Sequence, residues 1–246
     1  MVTTLYLIRH GETEGSETKR YKGSIDVPLS EKGIEQVKGS SLFIREYLRK
    51  TFYSKHMSYL RDIHKSPDDS TEEQSCEPQA ATSDLQNCRA SRLQAVYTSN
   101  LRRAVRSAGI IAEPYGLKPV EMPGLRERSF GVWEGMTFTE IEEKYPAEFK
   151  AWANDPLRYS PVNGESTIEV KKRIMPSLVR ILDNHKGDNI AVVAHGGVNR
   201  IILCHFLGTP LENIFRIEQD YAAVSVVELW EKYPVVKLIN GLSCYS

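Results

Sequence analysis

The hydrophobic residues of this chain fall into two patterns, short uninterrupted runs and longer stretches with a helical period. The uninterrupted runs predict strands at 4–8, 95–98, 189–194, 222–229 and 235–239. Apolar residues three or four positions apart predict helices at 30–50, 100–112, 139–145, 147–153, 167–185 and 198–207. Ser30 is the expected cap of the first helix, and Pro176 should kink or restart the fifth. The alternation predicts an α/β fold, a three-layer α/β/α sandwich with a mostly parallel central sheet.

One long segment interrupts this alternation. Between residues 51 and 92 charged and small polar residues dominate, and 66–73 reads Ser-Pro-Asp-Asp-Ser-Thr-Glu-Glu. We predict an insertion whose first part, 52–63, is helical and packs on the body, and whose remainder is a surface loop. A chain of 246 residues with 41% hydrophobic content is long enough for one large domain. We therefore expect a single domain over 1–246 with a polar insertion at about 51–92.

Charge and cysteine content narrow the range of partners. Lys and Arg number 32 and Asp and Glu number 32, so no net field attracts nucleic acid or an anionic membrane. No stretch approaches the roughly 18 apolar residues of a membrane span. Four cysteines are too few for a disulfide scaffold and lack zinc-finger spacing, which favours a cytoplasmic location. We expect a small-molecule partner, no nucleic acid and no membrane, and the oligomeric state stays open.

Two histidines stand at equivalent places in the pattern. His10 and His195 each follow an apolar run and each precede a glycine. Because ligands of parallel sheets bind outside the carboxyl ends of the strands, the two side chains should converge at one sheet edge. A glycine after each histidine lets a ligand oxygen approach backbone N–H groups, and a phosphate group suits such a site.

The segment Leu7-Ile8-Arg9-His10-Gly11-Glu12-Thr13 resembles the RHG signature of the histidine phosphatase (phosphoglycerate mutase-like) superfamily. Further segments resemble motifs of that family in the same order along the chain, namely 21–30, 98–104, 125–127, 130–135, 163–166 and 194–197. RHG alone would be a weak signal, but the ordered set covers nearly the whole chain outside the insertion.

The resemblance implies a phosphoglycerate mutase-like fold and a phosphomonoester hydrolase that works through a phosphohistidine on a small phosphorylated metabolite. His10 would be the nucleophile, and Arg9, Arg103 and a preferably protonated His195 would bind the phosphoryl group. Glu127 would act first as acid and then as base. Backbone N–H groups near Gly196 and Gly197 would also donate to the phosphate group. The resemblance implies neither a cofactor nor a metal. The leaving-group pocket would involve Arg20, Phe130, Trp152 and the insertion.

One departure from the family pattern bears on the substrate. Many members carry Trp-Asn where this chain has Gly15 and Ser16. Ser16 keeps a hydrogen-bond donor for the phosphate, and together with the basic stretch 19–23 this is more similar to the alpha-ribazole phosphatase branch. The substrate expected from that branch is alpha-ribazole 5'-phosphate.

Three other functions remain open from the sequence. A mutase would use the same residues, and Lys19, Arg20 and Lys22 could bind the second anionic group that it needs. A non-enzymatic module could recognise a phosphorylated ligand with the same pocket. Metal-dependent hydrolysis lacks an HExxH motif or any compact ligand set. Taken singly, Arg9 and Glu127 also fit solvated ion pairs and Arg103 fits an exposed helix face, whereas the two histidine segments together favour an active site.

Overall fold

A six-stranded mixed sheet organises the chain. The structure is a computed structural model that describes residues 2–53 and 91–243. The strands are β1 (Thr3–Arg9), β2 (Ala95–Thr98), β3 (Val120–Glu121), β4 (Asn189–Ala194), β5 (Val224–Leu229) and β6 (Pro234–Gly241). Their spatial order is β3-β2-β4-β1-β5-β6, with parallel pairing from β3 to β1 and antiparallel pairing from β1 to β6. Most of the predicted insertion at 51–92 lies outside the described residues, so the insertion and the domain count stay predictions.

The helices follow the predicted positions closely. They are α1 (Glu31–Tyr53), α2 (Arg102–Ala112), α3 (Phe138–Lys144), α4 (Pro146–Asn154), α5 (Thr167–Asp183) and α6 (Gly196–Leu207). Ser30 caps α1, because its Oγ accepts the Gly33 N–H at 3.0 Å. Pro176 lies inside α5 and does not restart it. The reason is packing, since Ile174 and Leu178 on either side are buried in the core and hold the segment helical.

The alternating side chains of β1 show the layers. Leu5 and Leu7 belong to a buried cluster shared with α5 and α6. Tyr6 and Ile8 point to the opposite face and join a cluster shared with α1 and α2. Each fully buried side chain of this size contributes about 1.5–3 kcal/mol to folding. A central sheet covered on both faces confirms the predicted α/β/α sandwich.

Two differences from the predicted strands have local causes. The strand β3 was not predicted. It has only two residues, Val120 and Glu121, and both are exposed, so it shows no apolar run. β6 begins at Pro234, one residue before the strand predicted at 235–239. β6 is an edge strand, and an edge strand tolerates proline because the missing N–H is not needed for pairing.

The register of the central strands sets the position of the site. Arg9 of β1 pairs with Ala194 of β4, so the residues that follow both strands arrive at the same level. The His10 N–H donates to the Ala194 carbonyl at 3.0 Å. β2 ends beside them, and antiparallel β5 begins at this same edge. Within 2–53 and 91–243, none of the helices is long and apolar enough to cross a membrane.

Candidate active site

A cavity of about 590 Å³ opens at this edge of the sheet. Its lining includes most of the residues that the sequence predicted for phosphate binding and catalysis, namely Arg9, His10, Ser16, Arg103, Glu127, Gly196 and Gly197. The three side chains predicted for the leaving-group pocket, Arg20, Phe130 and Trp152, line the same cavity. His195 is fully buried, and its ring centroid lies 5.1 Å from that of His10. The fold therefore brings the predicted site residues together.

The ring of His10 has one nitrogen committed to the backbone. Nδ1 lies 2.7 Å from the carbonyl oxygen of Gly11. A carbonyl only accepts, so Nδ1 must carry the proton and Nε2 keeps a lone pair. Burial, reinforced by the positive charges of Arg103 and Arg9, holds the pKa of His10 well below its ordinary value. The neutral, nucleophilic form is therefore favoured at neutral pH.

His195 is fixed by a hydroxyl group. Its Nε2 lies 2.7 Å from Ser99 Oγ at the end of β2. Its buried Nδ1 has no hydrogen-bond partner among the described residues. Burial, followed by repulsion from His10 and Arg103, lowers the pKa of His195 well below its ordinary value. The expectation of a protonated His195 thus depends on a phosphate dianion beside the ring, which would oppose this shift.

Two arginines supply the positive charge. The Arg9 Nη1 donates to the Gln219 carbonyl at 2.6 Å, and its buried Nε has no partner in the described part of the chain. Arg103 is 2% exposed and donates to the carbonyls of Ile25 at 2.7 Å and Gly23 at 2.8 Å. Burial lowers the pKa of both guanidinium groups, yet arginine stays charged in proteins. Their placement beside the cavity does not fit a surface ion pair for Arg9 or an exposed helix face for Arg103.

The carboxylate of Glu127 rests against the start of α6. The Gly197 N–H donates to Oε2 at 3.1 Å, and the Arg128 N–H donates to Oε1 at 3.0 Å. A Cβ added at Gly197 would lie 2.7 Å from Glu127 Oε1, so only glycine permits this approach. We expected the N–H groups of this turn to bind phosphate, whereas the Gly197 N–H donates to the carboxylate of Glu127.

The glycine after the first histidine also has a packing role. A Cβ at Gly11 would lie 2.2 Å from the carbonyl oxygen of Gly33 in α1. The Gly11 N–H donates to Ser107 Oγ at 3.2 Å. Close contact with α1, rather than access for a ligand oxygen, therefore explains this glycine.

Ser16 is tied into the cavity wall. Its Oγ accepts the Thr13 N–H at 3.2 Å, lies 2.9 Å from Thr13 Oγ1, and accepts the Tyr221 hydroxyl at 3.3 Å. The Lys22 ammonium donates to Thr13 Oγ1 at 2.8 Å and to the Glu14 carbonyl. The position that replaces the family's asparagine is thus part of a hydrogen-bonded loop.

Sequence reasoning missed several residues that shape the site. Tyr221 and Gln219 lie in the loop before β5 and contact Arg9, and no motif pointed to them. Ser99 lies inside the segment 98–104, and Arg128 directly follows the segment 125–127. In these two segments the family resemblance implied roles only for Arg103 and Glu127. In the described ranges 2–53 and 91–243, no group of three or more His, Cys, Asp or Glu residues is arranged to hold a metal ion.

Comparison with known proteins gives relatives along the whole chain. Phosphoserine phosphatase 1 of Hydrogenobacter thermophilus is 27% identical over 241 residues, 98% of this chain and 93% of that protein. The adenosylcobalamin/alpha-ribazole phosphatase of Escherichia coli is 24% identical over 96% of this chain and 95% of its own length. The solved structure of Bacillus stearothermophilus YhfR matches with a TM-score of 0.72 at 26% identity, covering 98% of each chain.

These relatives confirm the predicted enzyme class, a phosphatase that hydrolyses phosphate monoesters of small metabolites. The family model for the histidine phosphatase superfamily (branch 1) matches residues 5–55 and 78–241. The phosphoglycerate mutase-like fold and the predicted resemblance are confirmed with it. The chain belongs to the histidine phosphatase superfamily (branch 1).

Proposed function

We propose that His10 carries the phosphoryl group in hydrolysis of a small phosphomonoester whose leaving group has an apolar ring, with alpha-ribazole 5'-phosphate as the first candidate. One observation carries the assignment of the nucleophile. The Gly11 carbonyl fixes the proton of His10 on Nδ1, which leaves the Nε2 lone pair beside Arg9 and Arg103.

In the first step Nε2 of His10 attacks phosphorus, the N–P bond forms and the bond from phosphorus to the leaving oxygen breaks. Arg9 and Arg103 compensate the charge on the equatorial oxygens. Arg9 Nε and His195 Nδ1 support this role, because both are buried without a hydrogen-bond partner among the described residues, and such nitrogens suit an anionic ligand. Glu127 donates its proton to the leaving oxygen.

In the second step a water molecule attacks the phosphohistidine. Glu127, now a carboxylate, accepts a proton from the water as the O–P bond forms and the N–P bond breaks. Inorganic phosphate leaves, and the enzyme returns to its starting state. The same carboxyl group therefore serves as acid and then as base.

The wall of the cavity supports the choice of leaving group. Phe130, Trp152 and Phe215 line it, and Val170, Ile201 and Ile214 add aliphatic surface. Glu127 is the acidic side chain in the described lining, and it already accepts two backbone N–H groups. An ammonium group on the leaving side, as in phosphoserine, has no further carboxylate to pair with there. The arrangement favours the ring of alpha-ribazole over the serine head group.

Two of the three bases that kept a mutase open are engaged with the protein, whereas Lys19 lines the cavity. Arg20 forms two hydrogen bonds with the Glu140 carboxylate, at 2.6 and 2.9 Å, which balances its charge. Lys22 donates to Thr13 Oγ1 and to the Glu14 carbonyl, which occupies two of its three donors. These contacts leave less for a second anion to bind, which supports transfer to water.

Trapping the intermediate tests the proposal. After brief reaction and denaturation, the wild-type protein should carry one phosphoryl group that is stable in base and released in acid, and His10→Ala should carry none and turn over no substrate. His205→Gln, a change on the exposed part of α6, is the control and should behave as wild type. Turnover in a folded His10→Ala variant would refute the proposed nucleophile.

The leaving group is tested by comparing kcat/KM for alpha-ribazole 5'-phosphate and phosphoserine. We expect the first to be the better substrate. Phe215, which is 60% exposed, can be changed to Ala without a large loss of stability, and this should raise KM for alpha-ribazole 5'-phosphate only. A higher kcat/KM for phosphoserine would contradict the assignment.

We also propose a cytoplasmic location, based on the four sparse cysteines.

A further inference from the structure

The guanidinium of Arg173, on the inner side of α5, uses all five of its N–H donors. Nε and Nη2 donate to the two carboxylate oxygens of Glu165, both at 2.8 Å. Nη1 donates to the carbonyls of Gly124 and Arg126, both at 2.9 Å, and Nη2 also reaches the carbonyl of Glu127 at 3.4 Å. A planar fork of five donors meets five acceptors.

Glu165 extends the contact to the far side of Glu127. Besides the two bonds from Arg173, its Oε2 accepts the Ser129 N–H at 3.0 Å. The Arg173–Glu165 pair therefore holds backbone atoms from residue 124 to residue 129, and Glu127 stands between the held atoms. Both side chains are about a quarter exposed, so an isolated ion pair there would contribute little to stability. Their bonds to the loop are the unusual feature.

We propose that Arg173, with Glu165, is a positioning residue that sets the place of the Glu127 carboxyl group for proton transfer to the leaving oxygen. The inference rests on the proposed function, because it concerns the acid of that reaction. Arg173 lines no part of the cavity in the described chain, so it acts through Glu127 rather than on the substrate.

Proton transfer tolerates only a small displacement of the group that donates the proton. Glu127 is held at its carboxylate by Gly197 and Arg128, and at its backbone by Arg173. A displacement of about 1 Å in a reacting group can cost roughly 100-fold in rate. Lysine at 173 would keep the charge but has three donors on one nitrogen, so it cannot span Glu165 and three carbonyls at once. The loop would then lose its fixed distance from the leaving oxygen.

Two substrates with different leaving groups distinguish a positioning role of Arg173 from a general loss of structure. An alkyl phosphate must receive a proton as its P–O bond breaks, whereas 4-nitrophenolate leaves as a stable anion. Misplacement of Glu127 should therefore slow cleavage of the alkyl ester and affect the nitrophenyl ester little. A loosened or partly unfolded site would slow both esters to the same extent.

The experiment compares kcat/KM for an alkyl phosphomonoester and for 4-nitrophenyl phosphate in Arg173→Lys, Glu165→Gln, Glu127→Gln and the Arg173→Lys/Glu127→Gln double variant. We expect Arg173→Lys to lose roughly 10- to 100-fold on the alkyl ester and less than about threefold on the nitrophenyl ester. The double variant should be no slower than Glu127→Gln alone, because residues that act through one group are not additive. Arg180→Lys, an exposed arginine on the same helix, is the matched control and should keep wild-type values.

Three outcomes would overturn the inference: equal losses on both esters, full additivity in the double variant, or wild-type rates in Arg173→Lys. If Arg173→Lys does not fold, Glu165→Gln gives the same test, because its single amide oxygen cannot accept from the Ser129 N–H and from both Arg173 nitrogens at once, while the carbonyl bonds of Arg173 remain. Failure of the proposed function itself is distinguishable, since it would appear as turnover in His10→Ala, whatever the Arg173 variants do.

Discussion

The guanidinium carbon of Arg9 lies 3.9 Å from the centre of the Tyr221 ring. The same arginine donates to the carbonyl of Gln219, two residues earlier, so one short loop holds it by a ring face and by a backbone oxygen. The Tyr221 hydroxyl continues the contact to Ser16 Oγ at 3.3 Å. The loop before β5 thereby connects the arginine proposed to bind phosphate to the segment after β1.

Tyr221→Leu should weaken substrate binding by removing the ring under Arg9. A buried cation–π contact contributes about 2 kcal/mol, which corresponds to roughly 30-fold in kcat/KM. Tyr221→Phe keeps the ring and loses only the bond to Ser16, so its loss should be about fivefold. Steady-state kinetics on both variants measure the difference. Equal losses in Leu and Phe variants would mean that the hydroxyl, not the ring, matters for Arg9.

Ser99→Ala should destabilise the protein and weaken anion binding together. It leaves His195 Nε2 buried without the Ser99 hydroxyl at 2.7 Å, which costs about 1–3 kcal/mol in the free energy of unfolding. His195 also loses the contact that orients its ring, so the inhibition constant of inorganic phosphate should rise. Urea denaturation and phosphate inhibition measure the two effects. Ser41→Ala, a buried serine on α1, is the control, and an unchanged phosphate constant in Ser99→Ala would contradict the orienting role.

The two site histidines should make the protein less stable in mild acid. Burial lowers the folded pKa of His10 and of His195 well below the ordinary value of 6.5. Below about pH 6.5 the unfolded chain therefore binds protons that the folded chain does not, and the free energy of unfolding falls as pH falls. Above that pH both histidines are neutral in both states and contribute no pH dependence.

Urea denaturation at pH 7.5 and pH 5.5 measures this contribution. Each histidine adds at most about 1.4 kcal/mol per pH unit to the slope. His10→Gln and His195→Gln should each flatten the dependence between the two pH values. His205→Gln should retain most of it, because His205 is exposed. A slope as steep as in wild type in both His10→Gln and His195→Gln would show that other groups, rather than these two histidines, set the acid sensitivity.

The sequence predicted those parts of the site that follow from parallel strands and motif order. His10 and His195 end apolar runs, and the pairing of Arg9 with Ala194 brings them to one level. Tyr221 was not predictable in the same way, because its approach to Arg9 depends on the antiparallel register of β5 against β1. The hydrogen bonds of Arg173 were also not predictable from the sequence, because three of its acceptors are backbone carbonyl oxygens, which every residue type possesses.

Packing also overrode two local signals that the sequence offered. Pro176 indicated a break, yet the buried residues around it keep α5 intact. The glycines after the histidines indicated room for a ligand, yet Gly11 is required by the carbonyl of Gly33 and Gly197 by the carboxylate of Glu127. The core residues around Ile174 and Leu178, the carbonyl of Gly33 and the carboxylate of Glu127 come from other parts of the chain, so local composition could not indicate them.

Gly197→Ala tests whether the approach of Glu127 to α6 is needed for activity. The new Cβ would lie 2.7 Å from Glu127 Oε1, so the carboxylate must move from its place beside the Gly197 N–H. We expect kcat for an alkyl phosphomonoester to fall roughly 10- to 100-fold, the scale of a misplaced acid. Gly197 is the second residue of α6, where the preference of a helix for alanine over glycine is weaker than in its interior, so stability should change little.

Gly109→Ala in α2 is the matched control, because a Cβ there meets no atom of the described residues within 4 Å. It should gain about 1 kcal/mol in the free energy of unfolding and keep wild-type kcat. Both substitutions add a methyl group to a helix, and they differ in the neighbour that it meets and in position, since Gly197 lies in the first turn and Gly109 in the interior. If Gly197→Ala kept wild-type kcat on the alkyl ester, the carboxylate would have another productive position, and its contact with α6 would have a structural role alone.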